Sequence, residues 1–573
     1  MKKNWISFFA TLLAAIVISS CGGLNKMKDT AKTISYSTTP SPLEVKGVQV
    51  DLTVNVKYPA KFFNKKAVVE VTPVLKYEGG ETPFKAKTFQ GEGVQANNEV
   101  VKYNEGGSKT IAGGQVPFKK EMMVSTVEAR VAATMGKSKA DFPAIKIGDG
   151  VIATELLVVK DPRAISVGDK FVRESSSSYE ADIKYLINNA EVRPSELKKD
   201  ELKKLQSSIK ALDADPKKGI KGIELSAYAS PDGPMDLNEK LAEKRKESAS
   251  KYFTKDFVKK EKLTKVKDDI FTYLTTAEDW DGFKKLMEAS DVKDKELVLR
   301  VLSMYSDPAV REKEIKNISA AFDEIKIKIL PQLRRSKVTV KVVDAGRTDE
   351  EIVAIAQSKP DSLQLEELLY AAKLTPDADK QLAIYQAAAA KYPSDFRAKN
   401  DVGYVLVKQN KMAEAKAAFE AAKLVEDNAI VKNNLGVVAF NEGDLAKAEE
   451  LFTAAMGAGD QVNYNLGIIK IIQGKYADAI NYFGSAPEAN AGLAKLLNKE
   501  NDAALSTLNS VKSDDAIVSY LKAIVAARTQ NAELLYTNLR LAVGKSAELK
   551  ANAAKDLEFA KYFQDATFKS IIQ

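Results

Sequence analysis

Two residue types that often carry catalysis or bind metals, histidine and cysteine, are almost absent from this chain, so that carboxylate and lysine chemistry remain. The 573-residue sequence has no histidine and a single cysteine, Cys21. These counts exclude Ser-His-Asp and Cys-His catalysis, histidine-ligated metals, thiolate clusters and intrachain disulfides. The best candidate for paired-carboxylate catalysis is the cluster Glu278, Asp279 and Asp281 beside Trp280, but such a charge run is usually a solvated helix start. We therefore expect a binding or scaffold protein without cofactor or metal, and not an enzyme.

Composition and length set the broad class of the protein. Apolar residues make up 45% of the chain and charged residues 29%, which is typical of globular domains. The 86 basic residues exceed the 78 acidic ones by a formal charge of +8, which is mostly carried by lysine and spread along the chain. This distribution predicts a soluble surface and no nucleic-acid partner. The length predicts two to four domains.

The N-terminus has the pattern of a targeting signal. Lys2 and Lys3 precede an apolar run from Trp5 to Ile18, which predicts a signal peptide over residues 1–20. The sequence Ile18-Ser19-Ser20-Cys21 resembles the lipobox of bacterial lipoproteins. The resemblance implies cleavage before Cys21 and covalent attachment of diacylglycerol and acyl lipid to it, which would anchor the protein firmly in a membrane. The alternative is a secreted protein with an incidental cysteine.

The residues after Cys21 indicate which membrane the protein is attached to. Residue 22 is Gly, whereas an Asp there acts as an inner-membrane retention signal in well-known Gram-negative lipoproteins. Residues 22–28 also lack the acidic cluster that resembles a surface-export signal in Bacteroidetes lipoproteins. We therefore expect an outer-membrane protein that faces the periplasm. Residues 21–34 are expected to form a linker.

Residues 35–165 have the pattern of an all-β region. Apolar side chains alternate with polar ones over residues 48–56 and again over residues 67–77. Gly-rich turns separate further candidate strands near residues 100–103 and 121–133. The pattern predicts one β-sandwich or two small ones, and no binding site emerges from it.

Residues 175–345 change to a mixed α/β pattern that includes a recognisable motif. A predicted strand ends in Ala227-Tyr228-Ala229-Ser230-Pro231-Asp232-Gly233, and Asn238, Leu241 and Arg245 follow at the spacing of a helix. This string, and Leu333-Arg334-Arg335 before the predicted last strand, resemble the C-terminal domain of outer membrane protein A and its relatives. The resemblance implies a divergent α/β domain of that family, with a helical insertion from about residue 254 to 332.

The same resemblance implies a ligand. In the family, an Asp of the polar turn and an Arg of the helix hold the diaminopimelate of peptidoglycan, a zwitterion suited to one ion pair at each end. The Arg corresponds to Arg245, but the Asp position is occupied by Ser230, and Asp232 is the nearby carboxylate. Peptidoglycan binding is therefore the alternative function, and a docking module that only retains the fold is the favoured one.

Residues 360–560 contain a repeat. Gly403, Gly436 and Gly467 are each followed by Ala, Phe and Ala at offsets of 12, 16 and 19 residues, and Gly492 begins a weaker copy. The spacing resembles the tetratricopeptide (TPR) repeat, a helical hairpin that stacks into a solenoid. We expect the small residues to let the two helices of a repeat approach and the Phe to fill the seam to the next repeat.

A solenoid of this kind presents a concave groove that can hold a peptide or a partner's helix. Asn is costly inside a helix unless its amide has a hydrogen-bond partner, so the predicted groove residues are Asn400, Asn433, Asn434 and Asn463. Solvent or a neighbouring helix could also satisfy these amides. The favoured function is a lipid-anchored periplasmic scaffold or adaptor that binds a protein partner through the repeats.

Overall fold

The computed structural model describes residues 22–573. The predicted signal peptide and Cys21 lie outside the described residues. The chain divides into two compact units, one formed by the residues up to 167 together with 385–573, and the other by residues 168–384. The predicted β-rich N-terminal region and helical C-terminal region are confirmed. In the described part of the chain, no helix is long and apolar enough to cross a membrane.

The residues expected to form a linker are folded. Residues 22–29 form a helix, and a 3-10 turn follows over Ala31–Thr33. Leu24 and Met27 are each only 2% exposed, because the helix packs its apolar side into the core of the β region. The β region therefore begins directly after residue 21.

Two sheets make up the β region. In the first, Gln49–Tyr58 pairs antiparallel with Gly107–Pro117 along one edge and with Ser35–Thr39 and Leu43–Lys46 along the other. Val151–Ile152 extends this sheet by pairing parallel to Leu43–Lys46. Alternate residues of Gln49–Tyr58 are buried, which gives the sheet one apolar face.

The second sheet is built around an antiparallel pair, Val68–Tyr77 and Ser125–Met135. Its other strands are Gly80–Pro83, Lys87–Gly91, Glu99–Val101, Ser138–Asp141 and Ile145–Asp149. Val54 and Val56 of the first sheet share a core with Val71 and Val131 of the second. The two sheets form one sandwich.

The second unit is built on a mixed four-stranded sheet. Its strands lie in the order Ser175–Lys184, Arg335–Asp344, Lys218–Tyr228, Phe271–Thr276, and only the last pair is parallel. The helices Pro194–Leu197, Asp200–Ala214 and Met235–Lys251 accompany the sheet, and the last of these continues as a π-helical stretch over Tyr252–Lys259. The helices Asp349–Ser358 and Leu365–Leu374 also belong to this unit, although the repeat region was expected to begin at residue 360.

Five helices lie between the last two strands in sequence and have a core of their own. They span Trp280–Glu288, Lys295–Met304, Pro308–Asn317, Ser319–Lys328 and Leu330–Leu333. Phe283, Met287, Ile325 and Leu333 are almost completely buried within that core.

Helical hairpins follow the second unit, after the helix Ala378–Lys391. The first helices of five hairpins are Phe396–Lys408, Ala429–Asn441, Asp460–Ile472, Ala489–Leu497 and Ala516–Arg528. Their second helices are Met412–Val425, Leu445–Ala454, Tyr476–Phe483, Asn501–Ser510 and Ala532–Lys545. The chain ends in Ala547–Ala553, a 3-10 stretch Leu557–Tyr562 and Ala566–Ile572, so helical structure extends beyond the predicted limit at residue 560.

The repeated glycines allow close contact within each hairpin. A Cβ atom on Gly436 would lie 2.7 Å from the ring of Phe452, and one on Gly467 would lie 2.5 Å from the ring of Phe483. The Phe therefore packs on the Gly of its own repeat. The missing side chain of the Gly leaves room for the ring inside the hairpin, and the filling of the seam to the next repeat stays a prediction.

Candidate peptide-binding groove

The first helices of four successive hairpins present amide or carboxylate side chains to one segment of the chain. These side chains stand two residues before the repeated Gly or its equivalent, and they belong to Asp401, Asn434, Asn465 and Asn490. Each is no more than 1% exposed. Their ligand is residues 159–167, which follow the β region and have no regular secondary structure; we call this segment the connector.

Three asparagines each bind one connector residue through its main chain. Asn490 accepts from Val159 N at 2.9 Å and donates to Val159 O at 2.8 Å. Asn465 does the same to Arg163, at 2.6 and 2.9 Å. Asn434 does the same to Ile165, at 2.7 Å in both directions. A side-chain amide carries one acceptor and one donor side by side, so it can satisfy both main-chain groups of an extended residue.

The asparagines also support one another. Asn434 Nδ2 donates to Asn400 Oδ1 at 2.8 Å, and Asn465 Nδ2 donates to Asn433 Oδ1 at 3.0 Å. Asn400 and Asn433 in turn donate to the connector carbonyls of Ile165 and Arg163, both at 3.0 Å. These bonds link Asn434 and Asn465 to the neighbouring asparagines while they bind the connector, so each of the two amides is held in one orientation.

At the first of these hairpins a carboxylate replaces the amide. Asp401 accepts from Val167 N at 2.8 Å and from Ser166 Oγ at 3.0 Å, and Asn400 Nδ2 donates to it at 3.0 Å. Burial raises the pKa of Asp401 to about 6, although these donors oppose the increase. The connector therefore ends on a group that titrates near neutral pH.

One connector side chain makes specific contacts in the groove. The guanidinium of Arg163 lies 3.5 Å from the ring centre of Tyr464 and donates to both oxygens of Glu488, at 2.8 and 2.9 Å. Tyr464 OH donates to Asp161 at 2.6 Å. Ile165 is buried in the apolar core of the repeats. The groove thus binds the main chain at several points and one Arg side chain.

The chain just before the connector is also fixed to the repeats. Glu155 is 2% exposed and accepts from Gly47 N, Val48 N and Tyr476 OH, at 2.8, 3.0 and 2.6 Å. Thr154 donates to Glu558 at 2.5 Å, and Glu558 is paired with Arg528. The sandwich and the helical repeats are therefore joined at the head of the connector as well as along it.

Three of the four predicted groove residues contact the connector. Asn400, Asn433 and Asn434 contact the connector, whereas Asn463 is exposed on the same helix as Asn465. Sequence reasoning missed Asn465, Asn490 and Asp401. The signal that identifies them is their shared position two residues before Gly467, Gly492 and Gly403.

The predicted peptidoglycan residues lie together in the second unit, but each has a partner. Arg245 is 1% exposed and donates to the carbonyls of Tyr228, Asn189 and Leu186. Its burial lowers its pKa to about 10. Asp232 accepts from Arg334 at 2.8 Å, and Ser230 donates to Asp232 and accepts from Arg334. Arg334 is thus already paired with the carboxylate of Asp232, the group to which a ligand ammonium would have to bind.

Two carboxylates of the acidic cluster at Trp280 hold the local structure together. Asp279 accepts from Gly282 N at 2.8 Å and so caps the helix Trp280–Glu288. It also accepts from Arg335 at 2.8 Å. Glu278 accepts from Trp280 Nε1 at 2.9 Å.

No family model and no curated protein matches this sequence. Solved structures do overlap with it. Pseudomonas aeruginosa PilF covers 38% of this chain and 98% of its own, at 15% identity and a TM-score of 0.29. PilW, a type IV pilus biogenesis factor, covers 39% and 98%, at 16% identity and 0.28. YrrB, a TPR protein with an unusual peptide-binding site, covers 31% and 97%, at 18% identity and 0.25. Because these scores are low, we base the repeat assignment on the hairpins of this chain.

Proposed function

We propose that this protein is a protein-interaction scaffold in which the helical repeats bind the connector of the same chain. The observation that carries the proposal is the series of main-chain contacts that Asn490, Asn465 and Asn434 make with residues 159–165. These contacts join the sandwich to the repeats, so that the two parts present a rigid surface to a partner. A free peptide would compete poorly, because the connector is part of the same chain and has a high effective concentration.

The anchor and the location are part of the same proposal. We infer a lipid on Cys21, insertion in the outer membrane and a periplasm-facing protein. The inference rests on the resemblance of residues 18–21 to a lipobox. Replacement of Cys21 by Ala is expected to release the protein from the membrane fraction of cells. Unchanged membrane association would contradict the lipid anchor and leave the arrangement of the groove untouched.

With the groove occupied, the partner is expected to bind elsewhere on the repeats. Leu424 is the penultimate residue of the second helix of one hairpin and is 90% exposed, and Met456 lies just past the second helix of the next hairpin and is 56% exposed. Leu424 lies 21 residues after Gly403 and Met456 lies 20 residues after Gly436, so both are near the end of a second helix. Large apolar side chains that stay exposed close to one another are candidates for a binding surface. We therefore place the partner contact on the side of the repeats that carries them.

Affinity purification of the full-length protein from detergent-solubilised membranes tests this proposal. The test variant combines Leu424→Asp with Met456→Asp, and Leu541→Asp is the matched control, because Leu541 is a 48% exposed apolar residue of a later hairpin. A stoichiometric protein partner is expected with the wild type and the control but not with the test variant. Retention by the test variant would contradict the proposed surface, and the absence of any protein partner would contradict the scaffold.

Peptidoglycan tethering through the second unit is the alternative proposal. It requires Asp232 to exchange Arg334 for a ligand ammonium, and Arg245 to exchange main-chain carbonyls for a ligand carboxylate. Asp232→Asn is the better test variant, because removing the buried Arg245 would disturb the fold itself. Loss of sedimentation with purified cell-wall sacculi would support the tether. If the wild-type protein does not sediment with sacculi, the tether proposal is contradicted.

A further inference from the structure

Exposed lysines lie on the helix of residues 22–29 and on segments near it. Lys26 and Lys28 lie on the helix of residues 22–29, and Lys26 lines a shallow hollow of about 370 Å³ together with Lys61 and Tyr103. A Cβ on Gly23 would lie 2.9 Å from Asn64, which is followed by Lys65 and Lys66, and 3.0 Å from Met135, beside the turn that carries Lys137. Four segments at or near this helix thus carry basic residues.

We call Lys26, Lys28, Lys61, Lys66 and Lys137 the lysine collar. All five are exposed, and no carboxylate of the described residues lies within ion-pair distance of their ammonium groups. The nearby Lys65 and Lys102 do have acidic partners, Glu92 at 2.8 Å and Glu105 at 3.0 Å. Asp29 is the exposed carboxylate on the same helix. The collar therefore carries a local excess of positive charge.

The backbone of Lys61 is held in an unusual conformation. Its φ is +66°, in the left-handed region that L-residues other than Gly, Asn and Asp seldom adopt. Its N–H donates to Tyr103 O at 2.6 Å, which fixes the loop.

We propose that the lysine collar binds the phosphate groups of anionic phospholipids in the membrane to which Cys21 is attached. This proposal rests on the anchor proposed above. Residue 21 is bonded to residue 22, which begins the helix that carries Lys26 and Lys28. Lysines near an anionic bilayer each strengthen binding by roughly fivefold at moderate salt, and the attraction fades within a Debye length. The collar would hold the sandwich against the bilayer.

Vesicle flotation of residues 22–573, which contain every element of the described fold and carry no lipid, tests the collar. The vesicles consist of phosphatidylcholine alone, or of phosphatidylcholine with about a third phosphatidylglycerol. The test variant is Lys26→Gln, Lys61→Asn, Lys66→Gln and Lys137→Gln. The matched control is Lys240→Gln, Lys244→Gln, Lys260→Gln and Lys262→Asn, a set of exposed lysines of the second unit in which Lys262 also has a left-handed φ of +56°.

Binding of the wild type to the anionic vesicles is expected, with loss at high salt and little binding to the neutral ones. The test variant loses four lysine charges and should bind more than about a hundredfold more weakly, and the control should bind like the wild type. Equal binding of the two variants, or no preference for anionic vesicles, would contradict the proposal that the lysine collar binds anionic phospholipids. Since these proteins carry no lipid, the result is independent of Cys21, and failure of the anchor is detected separately by fractionation of the Cys21→Ala variant.

Discussion

The side-chain amide of Asn465 binds both main-chain groups of Arg163, accepting from its N–H at 2.6 Å and donating to its carbonyl at 2.9 Å. The two residues are 302 positions apart in the sequence. This pair shows how the repeats recognise the connector, since the amide binds an extended backbone whatever its side chain. Similar pairs at Asn434 and Asn490 make the connector part of the repeat structure.

Replacement of Asn465 by Ala should destabilise the unit that contains the repeats. The variant loses three hydrogen bonds and leaves a buried N–H of Arg163 without its acceptor, which costs about 2–4 kcal/mol. Urea unfolding monitored by circular dichroism measures the difference. Asn463→Ala is the control, because this residue lies on the same helix but is exposed, and we expect it to change stability by less than about 0.5 kcal/mol. Equal effects of the two variants would contradict the role of Asn465.

The pH dependence of stability should contain a contribution from Asp401. Its pKa is about 6 in the folded protein, and an unfolded Asp has a pKa of about 3.9. The folded state therefore binds the extra proton, so the contribution is fully present below about pH 4 and is lost as the pH rises through 6. At pH 8 the charged carboxylate opposes folding by up to about 3 kcal/mol.

Asp401→Asn tests this sign. The substitution inserts the residue that stands at the equivalent position of the next three repeats and carries no charge. We expect the variant to be more stable than the wild type at pH 8, and the difference to shrink as the pH falls to 4. A difference that stays constant over this range would show that Asp401 does not titrate as described. Thermal unfolding over a pH series provides the measurement.

Much of the repeat architecture is predictable from the sequence, because the Gly–Phe offset is local and each hairpin repeats it. The position two residues before each Gly carries as regular a signal, and it separates the buried Asn465 from the exposed Asn463. The ligand of the groove was not predictable. Residues 159–167 lie more than 200 positions from their partners, and no local pattern links them. The partners of Arg245 are carbonyls, which sequence alone does not reveal.

Gly436 should tolerate no side chain. Ala at this position would place its Cβ 2.7 Å from Phe452, so the ring or the helix must move, at a cost of about 1–3 kcal/mol. Gly544 is a suitable control, because it also lies in a helix but a Cβ atom there would point into open space among the described residues. Gly544→Ala should leave stability unchanged or raise it by about 0.5–1 kcal/mol. Similar losses in both variants would contradict the packing argument.

The contacts of Arg163 should be worth more than those of an ordinary surface ion pair. Arg163 and Arg130 each bind a carboxylate through two nitrogens, and their side chains are similarly exposed, at 40% and 41%. Arg163 additionally stacks on the ring of Tyr464. We expect Arg163→Ala to cost about 1 kcal/mol more than Arg130→Ala in urea unfolding. Equal costs would mean that the Tyr464 contact contributes nothing measurable.

The occupied groove is tested most directly by amide hydrogen exchange of residues 159–167 in the wild-type protein. The N–H groups of Val159, Arg163, Ile165 and Val167 donate to buried side chains, so we expect them to exchange as slowly as amides inside the repeat helices. In the Asn465→Ala variant, protection should fall first at Arg163. Fast exchange throughout the segment in the wild-type protein would contradict the account, because it would mean that the connector does not occupy the groove.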